Sequence, residues 1–137
     1  MSNSQIIEAT KTFVKNTLKN AEGGHDWFHI ERVYNNTLLI SKNENVDSFI
    51  VSLAALLHDI ADSKFHNGDE TIGPKKAREF LFKQNVASEV IEHVVNIIAH
   101  MSFNKSLEGV LAFKSKELEV VQDADRLDAI GAIGIAR

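Results

Sequence analysis

Apolar positions along this chain recur at helical spacing. In SQIIEATKTFVKNTLKN, residues Ile6, Ile7, Phe13, Val14 and Leu18 fall at roughly helical intervals, and AEGG marks a helix terminus followed by a turn. Next, Ile30, Val33, Tyr34, Thr37 and Leu38 stand at i, i+3, i+4, i+7 and i+8, an amphipathic stripe with one face for a core. After the polar break SKNENVDS comes FIVSLAALLHD, apolar around most of its circumference. This pattern predicts a helix near the centre of a bundle, capped by Asp47 or Ser48. DSKFHNGDETIG reads as a loop, and Pro74 suits the first turn of a fourth helix, PKKAREFLFKQN. Ser88 can cap a fifth, EVIEHVVNIIAHM, with Val90, Ile91, Val94, Val95 and Ile98 turned inward. NKSLEGVLAFKSKE is a second loop, and LEVVQDADRLDAIGAIGIAR predicts an extended lead-in followed by a last helix.

One proline and few strand-like alternations leave little room for a sheet, so the expected fold is all-α, a single bundle of about five to six helices. Its 137 residues suffice for one hydrophobic core, and no repeat or linker divides them. The terminal GAIGIAR is small and apolar yet reaches Arg137 without a cap or polar tail. We therefore expect the chain to be the N-terminal part of a longer helical protein. Fifteen basic against nineteen acidic residues give a net charge of −4, which advertises neither a nucleic-acid polymer nor an anionic membrane as partner. No apolar run approaches the roughly 18 residues of a membrane span. With no cysteine and no signal-peptide layout at the start, a cytoplasmic location is expected.

The candidate chemistry lies where the core pattern is interrupted. His29 in HDWFHIERV, His58 and Asp59 in LLHDIAD, and Asp125 in QDADRLD place imidazoles and carboxylates on helices that should otherwise be apolar. Adjacent helical residues point about 100° apart, so His58 and Asp59 cannot face the same way, yet an ion lying between them can reach both. Two imidazoles with two carboxylates form a mixed nitrogen and oxygen donor set, suited to Mn²⁺, Fe²⁺, Co²⁺, Ni²⁺ or Zn²⁺. A hydrogen-bonded structural His–Asp pair is the alternative that these residues leave open.

Together the motifs resemble those of the HD-domain superfamily of metal-dependent phosphohydrolases. HDWFHIERV, LLHDIADSKF and VQDADRLDAIGAIGIAR are similar to the three motifs of a bacterial HD-domain hydrolase family, and the likeness runs from about residue 25 to the chain end. It implies an HD domain over residues 1–137, with His29, His58, Asp59 and Asp125 as ligands of one divalent ion. Mn²⁺ is favoured over Fe²⁺, Co²⁺, Ni²⁺, Zn²⁺ or Mg²⁺. The remaining coordination positions would go to water and substrate oxygens. The implied reaction is hydrolysis of a phosphoester or phosphoanhydride, best guessed as that of a nucleotide, by water that the metal activates. The partner is then a small phosphorylated molecule, with a homodimer left open. A metal- and nucleotide-binding regulatory module without turnover is the main alternative, and a purely structural helical domain the weaker one.

Around this set, Asp62 follows Asp59 closely and is the candidate catalytic residue that orients or deprotonates the attacking water; capping is its rival role. Lys64 is the candidate substrate contact, a point charge for a phosphate, against the reading of a solvated lysine. Asp128, three residues after Asp125, is a candidate acceptor behind a ligand histidine, with an ion pair to Arg126 or Arg32 as the rival. Asp26 is expected to cap the second helix and Trp27 to pack. His93 and His100, seven apart, read as a solvated face with a second metal left open; His66 has no clearer assignment.

Overall fold

In the computed structural model of the chain, residues 2–19, 27–60, 71–102 and 113–135 are described. They form six helices: α1 (Asn3–Lys19), α2 (Trp27–Ser41), α3 (Ser48–Leu57), α4 (Ile72–Lys83), α5 (Ser88–Ser102) and α6 (Lys116–Ile135). No strand occurs among the described residues. The expected all-α architecture is therefore the observed one. None of these helices is long and apolar enough to cross a membrane.

The apolar circumference of α3 has the expected consequence. Every residue from Ile50 to Leu57 is buried, and α3 packs against α1, α2, α5 and α6. Its N-terminus is fixed by Asp47, whose Oδ1 accepts from the backbone N–H groups of Phe49 and Ile50 at 2.9 and 3.3 Å. Two otherwise orphaned donors are thereby satisfied. The Asp47 N–H in turn donates to Glu117 Oε2 at 2.9 Å, which ties the starts of α3 and α6 together.

Helices α1, α2 and α5 dock their predicted stripes on this centre, and α4 packs on α5. Ile6, Val14 and Leu18 of α1 and Ile30, Val33 and Thr37 of α2 are buried, with Ile7, Phe13 and Tyr34 packed at the margin. Phe13 stacks on Phe80 of α4, ring centroids 4.2 Å apart. On α5, Ile91, Val94, Val95 and Ile98 point inward as expected, joined by Ile97, while Val90 packs at the edge.

Helix boundaries shift from the sequence reading, α4 running Ile72–Lys83 in place of residues 74–85, and two further shifts have a clear cause. The segment LEVV is not an extended lead-in, because α6 already begins at Lys116. The β-branched pair Val120–Val121 suggests extended chain, but the start of the helix is set upstream by Ser115. Its Oγ accepts from the Leu118 N–H at 3.0 Å, and Glu117 and Glu119 place negative charge in the first turn. Leu118, Val120, Val121 and Ala124 are then buried. At the other end of the core, α3 stops at Leu57 rather than running through Asp59, and His58 is its C-cap. The cause is chemical and belongs to the site.

Candidate metal centre

The C-terminus of α3 leaves carbonyl groups without helical partners. One of these, Ala55 O, lies 2.7 Å from His58 Nδ1. A carbonyl oxygen only accepts, so Nδ1 must carry the proton. In the neutral ring the lone pair is then on Nε2. The end of the helix thus fixes both the orientation of His58 and its tautomer, and it puts the donor atom of His58 on the open side.

His29, in the first turn of α2, is fixed in the same way by a different partner. Its Nδ1 donates to Asp128 Oδ2 at 2.6 Å. Asp128 is one helical turn beyond Asp125 on α6, and it is buried except for 9% of its surface. Arg32, one turn along α2 from His29, donates from Nε to Asp128 Oδ1 at 2.6 Å and from a terminal nitrogen to Oδ2 at 3.4 Å. The two roles weighed for Asp128 are therefore compatible: one carboxylate holds the histidine and pairs with Arg32. Arg126 is not its partner. The Arg32 guanidinium and, less strongly, the hydrogen bond from His29 hold the Asp128 pKa below the usual carboxylate range against the opposing effect of desolvation.

Both Nε2 atoms converge on one oxygen. Asp125 Oδ1 lies 3.6 Å from His29 Nε2 and 3.6 Å from His58 Nε2. His29, His58 and Asp125 offer ligand atoms that all lie within 4.8 Å of one another. The two imidazoles meet edge to face, with centroids 6.0 Å apart. Two neutral imidazole lone pairs and a carboxylate oxygen facing a common point repel one another, and a cation among them or a proton on a ring nitrogen relieves that repulsion.

The protonation behaviour reflects this geometry. Burial is the largest single influence on His58 and pulls its pKa down. Interaction with Asp125 and the charge of Asp59 together outweigh it, so the pKa ends above its ordinary value. Asp125 is shifted down, chiefly by His58 and further by His29, against its own partial burial and the negative charge of Asp128. It therefore stays ionised, the form a metal ligand needs.

These residues line a cleft of about 320 Å³ together with Asp59, Met101, Gln122 and Arg126. Its size is at the small end of small-molecule sites, roughly 300–1,000 Å³. Asp59 lies on the cleft wall but outside the three-residue cluster. Asp62 and Lys64 lie outside the described residues, as do His25, Asp26 and His66. Trp27 packs against the core with Lys15 Nζ 4.9 Å from its ring centroid, in agreement with the packing role expected of it.

His93 is drawn elsewhere. Its Nε2 is 3.0 Å from Ser115 Oγ and 3.7 Å from Glu117, and its ring meets Phe113 edge-on. The sequence reading of His93 as part of a solvated stripe is corrected here, because the start of α6 packs over it. His100 has a buried Nδ1 without a hydrogen-bond partner among the described residues. Neither residue lines the cleft. Gln122, Met101 and Arg126 had not been singled out as cleft residues. The i, i+3, i+4 relation of Gln122, Asp125 and Arg126 was the available signal, since it puts all three on one helical face.

The HD domain family matches residues 27–130. YpgQ of Bacillus subtilis, an uncharacterized protein, is 40% identical over 139 residues, spanning 100% of this chain and 66% of its own length. An uncharacterized mimivirus protein, L803, is 30% identical over 127 residues, covering 83% of this chain and 51% of its own. Among solved structures, an HD-superfamily hydrolase from Bacillus thuringiensis superposes with a TM-score of 0.80 at 44% identity, over 99% of this chain and 64% of that one. B. subtilis YpgQ in complex with ADP superposes with a TM-score of 0.77 at 39% identity, over 100% and 65%. The chain thus spans just under two thirds of the length of several relatives. With the family match covering most of its helices and both histidines and Asp125 of the cleft, this chain belongs to the HD domain family.

Proposed function

We propose that this chain carries the metal centre of a divalent-metal-dependent phosphohydrolase acting on a phosphoester or phosphoanhydride of a nucleotide. HD domains bind divalent metal ions. The observation that carries the reading is the convergence of His29 Nε2 and His58 Nε2 on Asp125 Oδ1, with each Nδ1 already committed behind the ring. A structural His–Asp contact needs no such tautomer control on two separate helices. ADP bound to the related YpgQ supports a nucleotide as the ligand class, and the B. thuringiensis neighbour supports hydrolysis.

In this reading His29, His58 and Asp125 hold the ion, and Asp59, on the same cleft wall, is the fourth ligand. The bound ion supplies polarisation of a phosphoryl oxygen and activation of water. The protein supplies the rest. Asp128 and the Ala55 carbonyl keep both rings oriented and fix the tautomer in which Nε2 carries the lone pair of the neutral ring, as hydrogen-bond partners behind metal ligands generally do. Buried α3 anchors His58 rigidly, because every residue from Ile50 to Leu57 is packed. Asp62 is proposed to orient or deprotonate the attacking water, and Lys64 to contact a phosphate. The mixed donor set favours Mn²⁺, with Fe²⁺, Co²⁺, Ni²⁺, Zn²⁺ and Mg²⁺ as alternatives. The acting protein is proposed to extend beyond this HD domain as a longer helical chain.

The test is a panel of nucleoside mono-, di- and triphosphates and sugar phosphates, assayed with Mn²⁺, Mg²⁺, Co²⁺ and Ni²⁺. Phosphate and pyrophosphate release are followed separately. We expect Mn²⁺-dependent release from at least one nucleotide. Binding of Mn²⁺ and nucleotide with no product under any metal would contradict hydrolysis and leave a regulatory binding module.

A further inference from the structure

His58 ends α3 and Asp125 stands on α6, and these two helices are joined at both ends of their contact. At one end Asp125 Oδ1 meets His58 Nε2 at 3.6 Å. At the other, the N–H of Asp47, the cap of α3, donates to Glu117 Oε2 in the first turn of α6 at 2.9 Å. The helices therefore run side by side in the same direction. At a rise of about 1.5 Å per residue, Glu117 stands about 12 Å along α6 from Asp125, outside the reach of a ligand to the same ion.

Glu117 is placed as a connector, not as a surface charge. Its side chain is 15% exposed, whereas Glu119 in the same turn is exposed. Either acid complements the positive end of the helix dipole, so that role does not require Glu117 to be covered. Its other oxygen, Oε1, lies 3.7 Å from His93 Nε2 on α5. The same ring nitrogen is 3.0 Å from Ser115 Oγ, which accepts from the Leu118 N–H and starts α6. One carboxylate thus links the starts of α3 and α6 to α5. Between the two ends, α6 buries Leu118, Val121 and Ala124. Apolar burial is non-directional, and packed helices can shift past one another by about 1–2 Å. A metal centre needs its ligands held within about 0.5 Å. A directional hydrogen bond supplies the axial constraint that apolar packing lacks.

We propose that Glu117 is a positioning residue of the metal centre. Its bond to the start of α3 sets the axial register of α3 against α6, and with it the separation of His58 Nε2 and Asp125 Oδ1. This inference rests on the metal-centre part of the reading above.

The test is the Mn²⁺ affinity of the wild type, Glu117→Ala, Glu117→Asp and Glu117→Gln by calorimetric titration, with the visible absorption spectrum of each protein loaded with Co²⁺. Glu117→Ala removes the acceptor, and Glu117→Asp, one methylene shorter, cannot hold it in the same place. Both should weaken Mn²⁺ binding roughly three- to tenfold, the coupling expected of a change that touches no ligand. Both should also alter the Co²⁺ spectrum. Glu117→Gln keeps an oxygen for the Asp47 N–H and should bind Mn²⁺ as the wild type does. Leu81→Val, a buried change on α4, should lower thermal stability and leave Mn²⁺ affinity unchanged. Unchanged affinity in Glu117→Ala would reduce Glu117 to a stabilising contact, and an equal loss in Leu81→Val would make the effect a general loosening of the fold. A loss in Glu117→Gln as large as in Glu117→Ala would make it one of charge. Each of these results would overturn the inference. If no nucleotide is cleaved while Mn²⁺ affinity still depends on Glu117 in this way, the hydrolase reading fails and the register role stands.

Discussion

Replacing His58 by alanine is expected to abolish both hydrolysis and the stabilisation of the fold by Mn²⁺, and Asp125→Ala to do the same. Each removal takes away one of the donor atoms that meet within 4.8 Å. At a Mn²⁺ concentration 100 times its dissociation constant, the wild type should gain about 2.7 kcal/mol of stability. That increment should vanish in either variant. The metal-free proteins should still fold. His58→Ala loses the contact to Ala55 O, a change of about 1 kcal/mol, whereas the surrounding core from Ile50 to Leu57 is untouched. Thermal denaturation with and without Mn²⁺ separates the two effects. An Mn²⁺-dependent rise of wild-type size in His58→Ala would remove His58 from the ligand set.

The second large effect is expected at Asp128, which need not touch the ion at all. Its carboxylate holds His29 Nδ1 at 2.6 Å and Arg32 Nε at 2.6 Å. Asp128→Ala leaves His29 free to rotate and to change tautomer. Losses behind a metal ligand usually weaken binding about 10–100-fold, and that range is expected here, with activity falling in parallel. Asp128→Asn keeps the shape but not the charge, and should lie between the wild type and alanine. This variant also has a pH signature. The folded-state pKa of Asp128 is depressed relative to the unfolded chain, so its contribution is present at neutral pH. That contribution declines as pH falls below about 4, toward and through the lower folded value. Acid unfolding curves of Asp128→Asn should therefore lose that component and lie closer to flat on the acid side. A wild-type acid limb with unaltered Mn²⁺ affinity would show that Asp128 does not position His29.

Much of this was legible in the order of residues, for identifiable reasons. The wrap-around apolar pattern of α3 marked it as central because few exposed helices carry eight consecutive buried positions. The candidate ligands His29, His58, Asp59 and Asp125 stood out because each interrupts a core pattern. The start of α6 was misread because β-branched Val120 and Val121 favour extended chain locally, while tertiary burial and the Ser115 cap decide otherwise. The place where α3 ends could not be read from periodicity. It depends on a side chain, His58, capturing a backbone carbonyl three residues earlier. The double engagement of Asp128 was also hidden, because it joins α2 to α6 across almost a hundred residues, and sequence spacing carries no signal for such a contact. Arg126 was visible only as a charge until the cleft gave it neighbours.

The central claim is that His29, His58 and Asp125 hold one divalent ion. The most direct measurement is crystallographic: the Mn²⁺-loaded protein, with anomalous scattering recorded at the manganese absorption edge. The account predicts one strong anomalous peak bonded to His29 Nε2, His58 Nε2 and a carboxylate oxygen of Asp125, with Asp59 completing the protein ligands. A peak bound elsewhere on the chain, or none between these side chains at Mn²⁺ concentrations that saturate the protein, would contradict it.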